Sequence, residues 1–222
     1  MTKKTKVTIA FLLFFTVSIA DIFAVVTSNK TMEVIFKPLL MITLIIVYLV
    51  SIKKPSMWLL LGLVFSFLGD VFLLNQEEYF VYGVACFLIA HVLYIRLIAW
   101  YIKGKPLMKG LLSILPFILP FLLTMYVVYD NLKDMVVPVF EYGFVIAVFG
   151  AVTLLNYQQE KSKANLLILL SSVVLMFSDA FIILNIYHSY SKILDFFVIL
   201  FYISSQFLIV RGMILKEETP KI

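Results

Sequence analysis

Two aspartates stand inside long apolar runs. Asp70 lies in Phe67-Leu68-Gly69-Asp70-Val71-Phe72, and Asp179 lies in Met176-Phe177-Ser178-Asp179-Ala180-Phe181. Ionisable groups in such settings are expensive and face a bundle interior or a wet cavity. Each aspartate falls about five residues from the end of its run, several ångströms deep at about 1.5 Å per residue. An Asp side chain is too short to snorkel from that depth as Lys does. Each therefore requires a partner, a cavity or a proton. Two carboxyls sharing a poorly solvated site repel each other, so one holds a proton while the other stays anionic. Such a pair serves as general acid and general base toward a bound water. The chemistry suits a substrate whose slow step is protonation, such as an enol ether or an acetal. Protonating the vinyl carbon gives an oxocarbenium ion that a carboxylate stabilises and water attacks, a logic related to that of glycosidases. Two Asp on two helices equally suit a proton or cation transporter.

The neighbouring polar residues fall in stripes. Gly62, Ser66, Gly69 and Asp70 share one face by i, i+3, i+4 spacing. Ser171, Ser178 and Asn185 form a stripe beside Asp179. His91 and Tyr94 share a face, as do Tyr202, Ser205 and Gln206. Small residues let helices approach closely, and polar ones bond across the gap. The stripes read either as interhelical glue or as the wall of a polar pocket. The other intramembrane charges are Lys37, Arg96, Glu141 and Arg211. The two arginines lie near run ends and can snorkel. Lys37 and Glu141 lie near the opposite ends and can snorkel or pair. Pro38 follows Lys37 near the expected start of its helix, where a missing N–H costs little. There is no His/Cys cluster at zinc spacing, although His91 with two Asp is a conceivable metal set. No phosphate loop or nucleophile elbow is present. No cofactor is implied.

These residues need helices to carry them. The chain has 222 residues, 63% hydrophobic and 14% charged, with a mean hydropathy of +1.07. Soluble domains carry about 45–50% apolar and about 25% charged residues. Eight runs are long enough to cross about 30 Å of hydrocarbon: 7–26, 34–52, 57–75, 79–102, 107–128, 136–157, 164–186 and 193–215. Short polar connections such as Asn75-Gln76-Glu77-Glu78 and Asp130-Asn131-Leu132-Lys133-Asp134 separate them. Backbone groups in lipid must be satisfied within their own segment, so the expected class is all-α: one integral membrane domain over 1–222. The run at 7–26 is too long for a signal-peptide core of about 7–15 residues and reads as an uncleaved first helix.

The net charge of +5 reflects topology rather than nucleic-acid binding. Lys3, Lys4, Lys6, Lys53, Lys54, Lys103, Lys105, Lys109, Lys161, Lys163, Lys216 and Lys221 fall on one side of the eight-run layout. Lys30, Lys37, Lys133 and Lys192 fall on the other. The positive-inside rule then places both termini in the cytoplasm. The single Cys86 allows neither an internal disulfide nor a cysteine zinc site. The halves 7–102 and 107–215 read as a parallel four-helix repeat. The two Asp segments align, and so do Ala90-His91-Val92-Leu93-Tyr94-Ile95-Arg96 and Ser205-Gln206-Phe207-Leu208-Ile209-Val210-Arg211.

The chain resembles the YhhN family, which includes the mammalian lysoplasmalogenases. The resemblance rests on KPLLM (Lys37–Met41), FSFLGDVFLL (Phe65–Leu74), AHVLYI (Ala90–Ile95), FSDAFIILN (Phe177–Asn185) and FYISSQFLIVRG (Phe201–Gly212), in that order. It implies a multi-pass protein of the cell membrane that hydrolyses the vinyl-ether bond of lysoplasmalogen, a lysophospholipid. Asp70 and Asp179 are then the catalytic pair, with the acid and base roles open. His91, Tyr202 and Gln206 orient water or the ether oxygen, and Lys37 binds phosphate. Tyr94, Glu141 and Asn185 complete the orienting set. Membrane lipids are the other partners, and the oligomeric state is open. A proton-coupled transporter and a noncatalytic lipid-binding protein are the rival readings.

Overall fold

A threonine, an asparagine and a serine open three of the helices in the computed structural model, which describes residues 2–104 and 106–218. The side chains of Thr2, Asn29 and Ser162 accept from the backbone N–H of Thr5, Met32 and Asn165, each at 3.2 Å. Such caps satisfy donors that the first helical turn leaves orphaned. The helices are α1 (Lys3–Val26), α2 (Lys30–Ser51), α3 (Met57–Phe72), α4 (Gln76–Ala99), α5 (Leu107–Leu132), α6 (Val136–Gln159), α7 (Lys163–Tyr187) and α8 (Lys192–Glu218). There is no strand among the described residues. Lys105 and Lys221, two of the charges used to orient the chain, lie outside the described residues.

The caps move several boundaries outward from the apolar runs. Asn29 starts α2 at Lys30, a turn before the first apolar residues. Pro38 is therefore interior rather than near the helix start, and the carbonyl of Val34 loses its i+4 donor. Asn75 to Glu78 do not form a loop either. A single 3-10 turn, Leu73–Asn75, leads straight into α4 at Gln76. Asn75 there donates to Glu78 Oε2 at 3.2 Å.

Among the described residues seven helical stretches are long and apolar enough to cross a membrane, so the chain is an integral membrane protein. One of them, Met108–Gln159, covers 52 residues. A straight helix of that length would reach close to 80 Å, against about 30 Å of hydrocarbon. It instead reverses at the 3-10 turn Lys133–Met135, where Lys133 has a φ of 48°. The rings of Phe117 and Phe121 on α5 lie over Gly150 and Gly143 on α6, in the reversed order of an antiparallel pair.

The chain forms two compact units. One contains the residues up to Tyr94 together with those from Met213 onward; the other is Ile95–Gly212. In the first, α1 packs on α2 and α2 on α3. The α1–α2 turn is a Schellman motif with Ser28 at φ 54°: Asn29 N donates to Ala24 O and Ser28 N to Val25 O. Buried Phe14, Val17, Leu40, Leu44, Leu59 and Leu63 fill this unit. Tyr48 closes it, accepting from Ser56 N and donating to Glu217 Oε1, both at 2.9 Å. In the second unit, α5, α6 and α7 pack on one another. Their core is built from Phe121, Met125, Val128, Leu132 and Val139. Gln159 pins the segment before α5, with reciprocal bonds to the backbone N–H and C=O of Lys103 at 2.8 and 3.0 Å.

Candidate functional site

In the first unit, the glycine–serine face of α3 receives the aromatic rings of α4. Gly62 lies under the Tyr94 ring, and a Cβ at Gly69 would fall 2.8 Å from the Phe87 ring. Only glycine lets the two helices approach this closely. Ser66 and Tyr94 hydroxyls lie 3.4 Å apart, and the His91 and Tyr94 rings are 6.3 Å apart, edge to face. Asp70 on the next turn of α3 is 2% exposed and His91 is 1% exposed. The structure thus brings Ser66 and Tyr94 together at the α3–α4 contact and buries Asp70 and His91 on the same two helices.

The same unit holds a charge that the motif reading passes over. Asp21 on α1 is fully buried, and neither carboxyl oxygen makes a hydrogen bond among the described residues. It interacts electrostatically with Lys37 and Glu33 across the hairpin on α2. Lys37, expected to meet a phosphate, thus faces an internal carboxylate as well. An ionisable residue inside the first apolar run was the available signal.

The second unit places Asp179 on a cavity of about 160 Å³ between α5, α6 and α7. Phe117, Phe121, Ile146, Met176 and Phe181 supply much of its wall. That volume is far above the roughly 10–15 Å³ that admits a water, so it accommodates a stretch of alkyl chain with a polar end. Its polar side chains are Thr124, Tyr142 and Asp179. The Tyr142 phenol donates to Asp179 Oδ1 at 3.3 Å. Oδ2 is buried and makes no hydrogen bond among the described residues. Thr124 Oγ1 donates to Pro120 O at 3.0 Å. Pro116 and Pro120 lie inside α5 and remove two i→i−4 donors beside the cavity.

The polar stripe of α7 turns to α8 instead of to this cavity. Ser178 Oγ donates to Val198 O at 2.9 Å, and Asn185 Nδ2 to Asp195 Oδ1 at 2.6 Å. Asn185 Oδ1 also accepts from Ser191 N at 2.5 Å. Asn185 therefore anchors the α7–α8 turn. Tyr202, Ser205 and Gln206 are buried on α8, while Glu141 is exposed. Arg96 lies with its guanidinium 5.3 Å above the Trp100 ring, matching a cation at a helix end. Among the described residues no group of three or more His, Cys, Asp or Glu is placed to hold a metal.

The fold defines a polytopic helical membrane protein that carries aspartates within its apolar helices. The chain belongs to the YhhN family, whose family model matches residues 32–213. The match begins after α1, so Asp21 lies before it. No curated protein and no solved structure matches the chain.

Proposed function

We propose that this protein is an intramembrane hydrolase of the lysoplasmalogenase type. It cleaves the vinyl-ether bond of a lysoplasmalogen to a fatty aldehyde and a glycerophospho-headgroup such as glycerophosphoethanolamine. YhhN membership is consistent with that activity. The observation that carries it is Asp179, which lines an apolar cavity and has one buried oxygen without a hydrogen bond among the described residues.

In this reading Asp70 and Asp179 divide the acid and base roles. A carboxylic acid protonates the vinyl carbon remote from the ether oxygen, leaving an oxocarbenium ion. A carboxylate removes a proton from water as the oxygen of that water bonds to the cationic carbon. The resulting hemiacetal collapses: its hydroxyl proton leaves, the glyceryl oxygen takes a proton, and the aldehyde is released. One water is consumed and both carboxyls return to their starting states. General acid–base groups of this kind contribute typically about 10²–10⁴-fold each. Lys37 attracts the phosphate, while His91, Tyr202 and Gln206 orient water or the ether oxygen. The termini face the cytoplasm of a cell membrane.

The test is hydrolysis of a lysoplasmalogen by purified protein in detergent, read as free aldehyde. Asp70→Asn and Asp179→Asn are each expected to lower turnover at least about 100-fold while the protein stays folded. Wild-type turnover in both variants would refute the mechanism. Absence of aldehyde release from folded wild-type protein would refute the activity.

A further inference from the structure

We infer that Tyr142 is a positioning residue for the Asp179 carboxyl, and that Oδ2 is the oxygen presented to the reacting bond. The inference rests on the reading of Asp179 as an acid/base group. A carboxyl has two equivalent oxygens and rotates readily about its terminal torsion. Something must break that symmetry if one oxygen is to meet a substrate reproducibly, because catalytic geometry tolerates little misplacement.

Here α6 supplies that constraint. The Tyr142 hydroxyl holds Oδ1 at 3.3 Å, and Oδ2 is buried without a hydrogen bond among the described residues. Both residues line the same cavity. Of the other wall residues only Thr124 brings a hydroxyl, and it bonds to Pro120 O at 3.0 Å. Gly143, next in sequence, lets the Phe121 ring of α5 seat against α6. Phe121 in turn stacks edge-on against Phe140 with centroids 5.6 Å apart. The backbone that carries Tyr142 is therefore packed on both sides of that residue. A tyrosine in a run rich in Phe looks like packing in the sequence; only its place opposite Asp179 gives it a task.

The experiment uses the full chain in lipid nanodiscs and two readouts. Tyr142→Phe keeps the ring and removes the donor. Turnover of lysoplasmalogen is expected to fall about 10–30-fold in kcat, as for loss of one hydrogen bond to a charged group, with KM within about twofold. In an Asp179→Asn background the same substitution costs nothing further, because the two groups act as a unit. The second readout is the infrared carboxyl band of 13C-labelled aspartate, assigned to Asp179 by its loss in Asp179→Asn. Tyr142→Phe shifts this band, and a fluorinated tyrosine at 142, which keeps the fold and strengthens the donor, shifts it the opposite way. If wild-type protein releases no aldehyde, the proposed reaction fails, and the band alone still decides the positioning. An unmoved band, full kcat in Tyr142→Phe, or an equal loss in the Asp179→Asn background overturns the inference.

Discussion

Neutralising Lys37 should destabilise the protein far more than neutralising Asp21, although the two charges attract each other equally. Asp21 has no exposure and, among the described residues, no hydrogen bond. Without Lys37, its remaining charged neighbour is Glu33, which repels it. Lys37 is only half-buried, and its long stem can carry the ammonium to the interface once Asp21 is gone. At an effective dielectric of about 20, unit charges about 4 Å apart attract by roughly 4 kcal/mol, and the attraction falls with distance. Removing one partner of a well-buried pair costs about 3–5 kcal/mol. The exposure of Lys37 lowers this to about 2–3 kcal/mol for Lys37→Met, against about 1 kcal/mol or less for Asp21→Asn. The double variant removes both charges and should return to within about 1 kcal/mol of wild type. A double-mutant cycle of unfolding in mixed detergent micelles measures the coupling, expected near 2 kcal/mol. A coupling below about 0.5 kcal/mol, or equal costs for the two single variants, would refute the asymmetry argued from burial.

Gly150→Leu would drive a side chain into the Phe117 ring and should lower stability by about 1–3 kcal/mol in thermal unfolding. Gly110→Ala is the contrasting case: the nearest atom to its added Cβ is 3.9 Å away, and the gain in helix propensity should raise stability by up to about 1 kcal/mol. Asn185→Ala removes the bonds to Asp195 and Ser191. It should cost about 1–3 kcal/mol and accelerate proteolysis at the α7–α8 turn, while kcat in the aldehyde-release assay changes less than about threefold; a loss as deep as that of Asp179→Asn would return Asn185 to the substrate.

The long helices were legible because twenty or so uncharged residues have few other folds in lipid. The buried state of Asp70, His91 and Tyr94 followed from their face-sharing spacing, and the α3 glycine–serine face does meet α4 aromatics. Helix ends were less visible, since polar caps such as Asn29 extend a helix past its apolar run and so place Pro38 inside α2. Tyr142 and Asp21 escaped because motif reading weighs residues one helix at a time. Their partners are set by the turns. Counting back nearly equal distances on either side of Lys161 brings Tyr142 opposite Asp179, which the 3.3 Å bond realises. Counting from Ser28 brings Asp21 between Glu33 and Lys37, the residues that it senses. Hairpin arithmetic of this kind is available wherever a short turn joins two long helices.

Burial alone does not distinguish the surroundings of Asp21 from those of the carboxyl proposed to react, Asp179. A membrane helix retains an aspartate only where something compensates its cost. Asp21 answers with the field of a lysine across a tight hairpin, a solution that needs no cavity and serves α1–α2 packing. Asp179 answers with one phenol on one oxygen; its other oxygen is buried without a hydrogen bond among the described residues, and the residue lines a cavity large enough for part of a lipid chain. Among the described residues Asp21 also leaves its oxygens without a hydrogen bond, so what separates Asp179 is its place on the wall of a cavity. Thr124, the other hydroxyl on the wall, is turned to a carbonyl of its own helix beside two prolines instead. The cavity beside Asp179, rather than its depth or its unsatisfied oxygen, is what sets it apart from Asp21 and supports the role proposed for it.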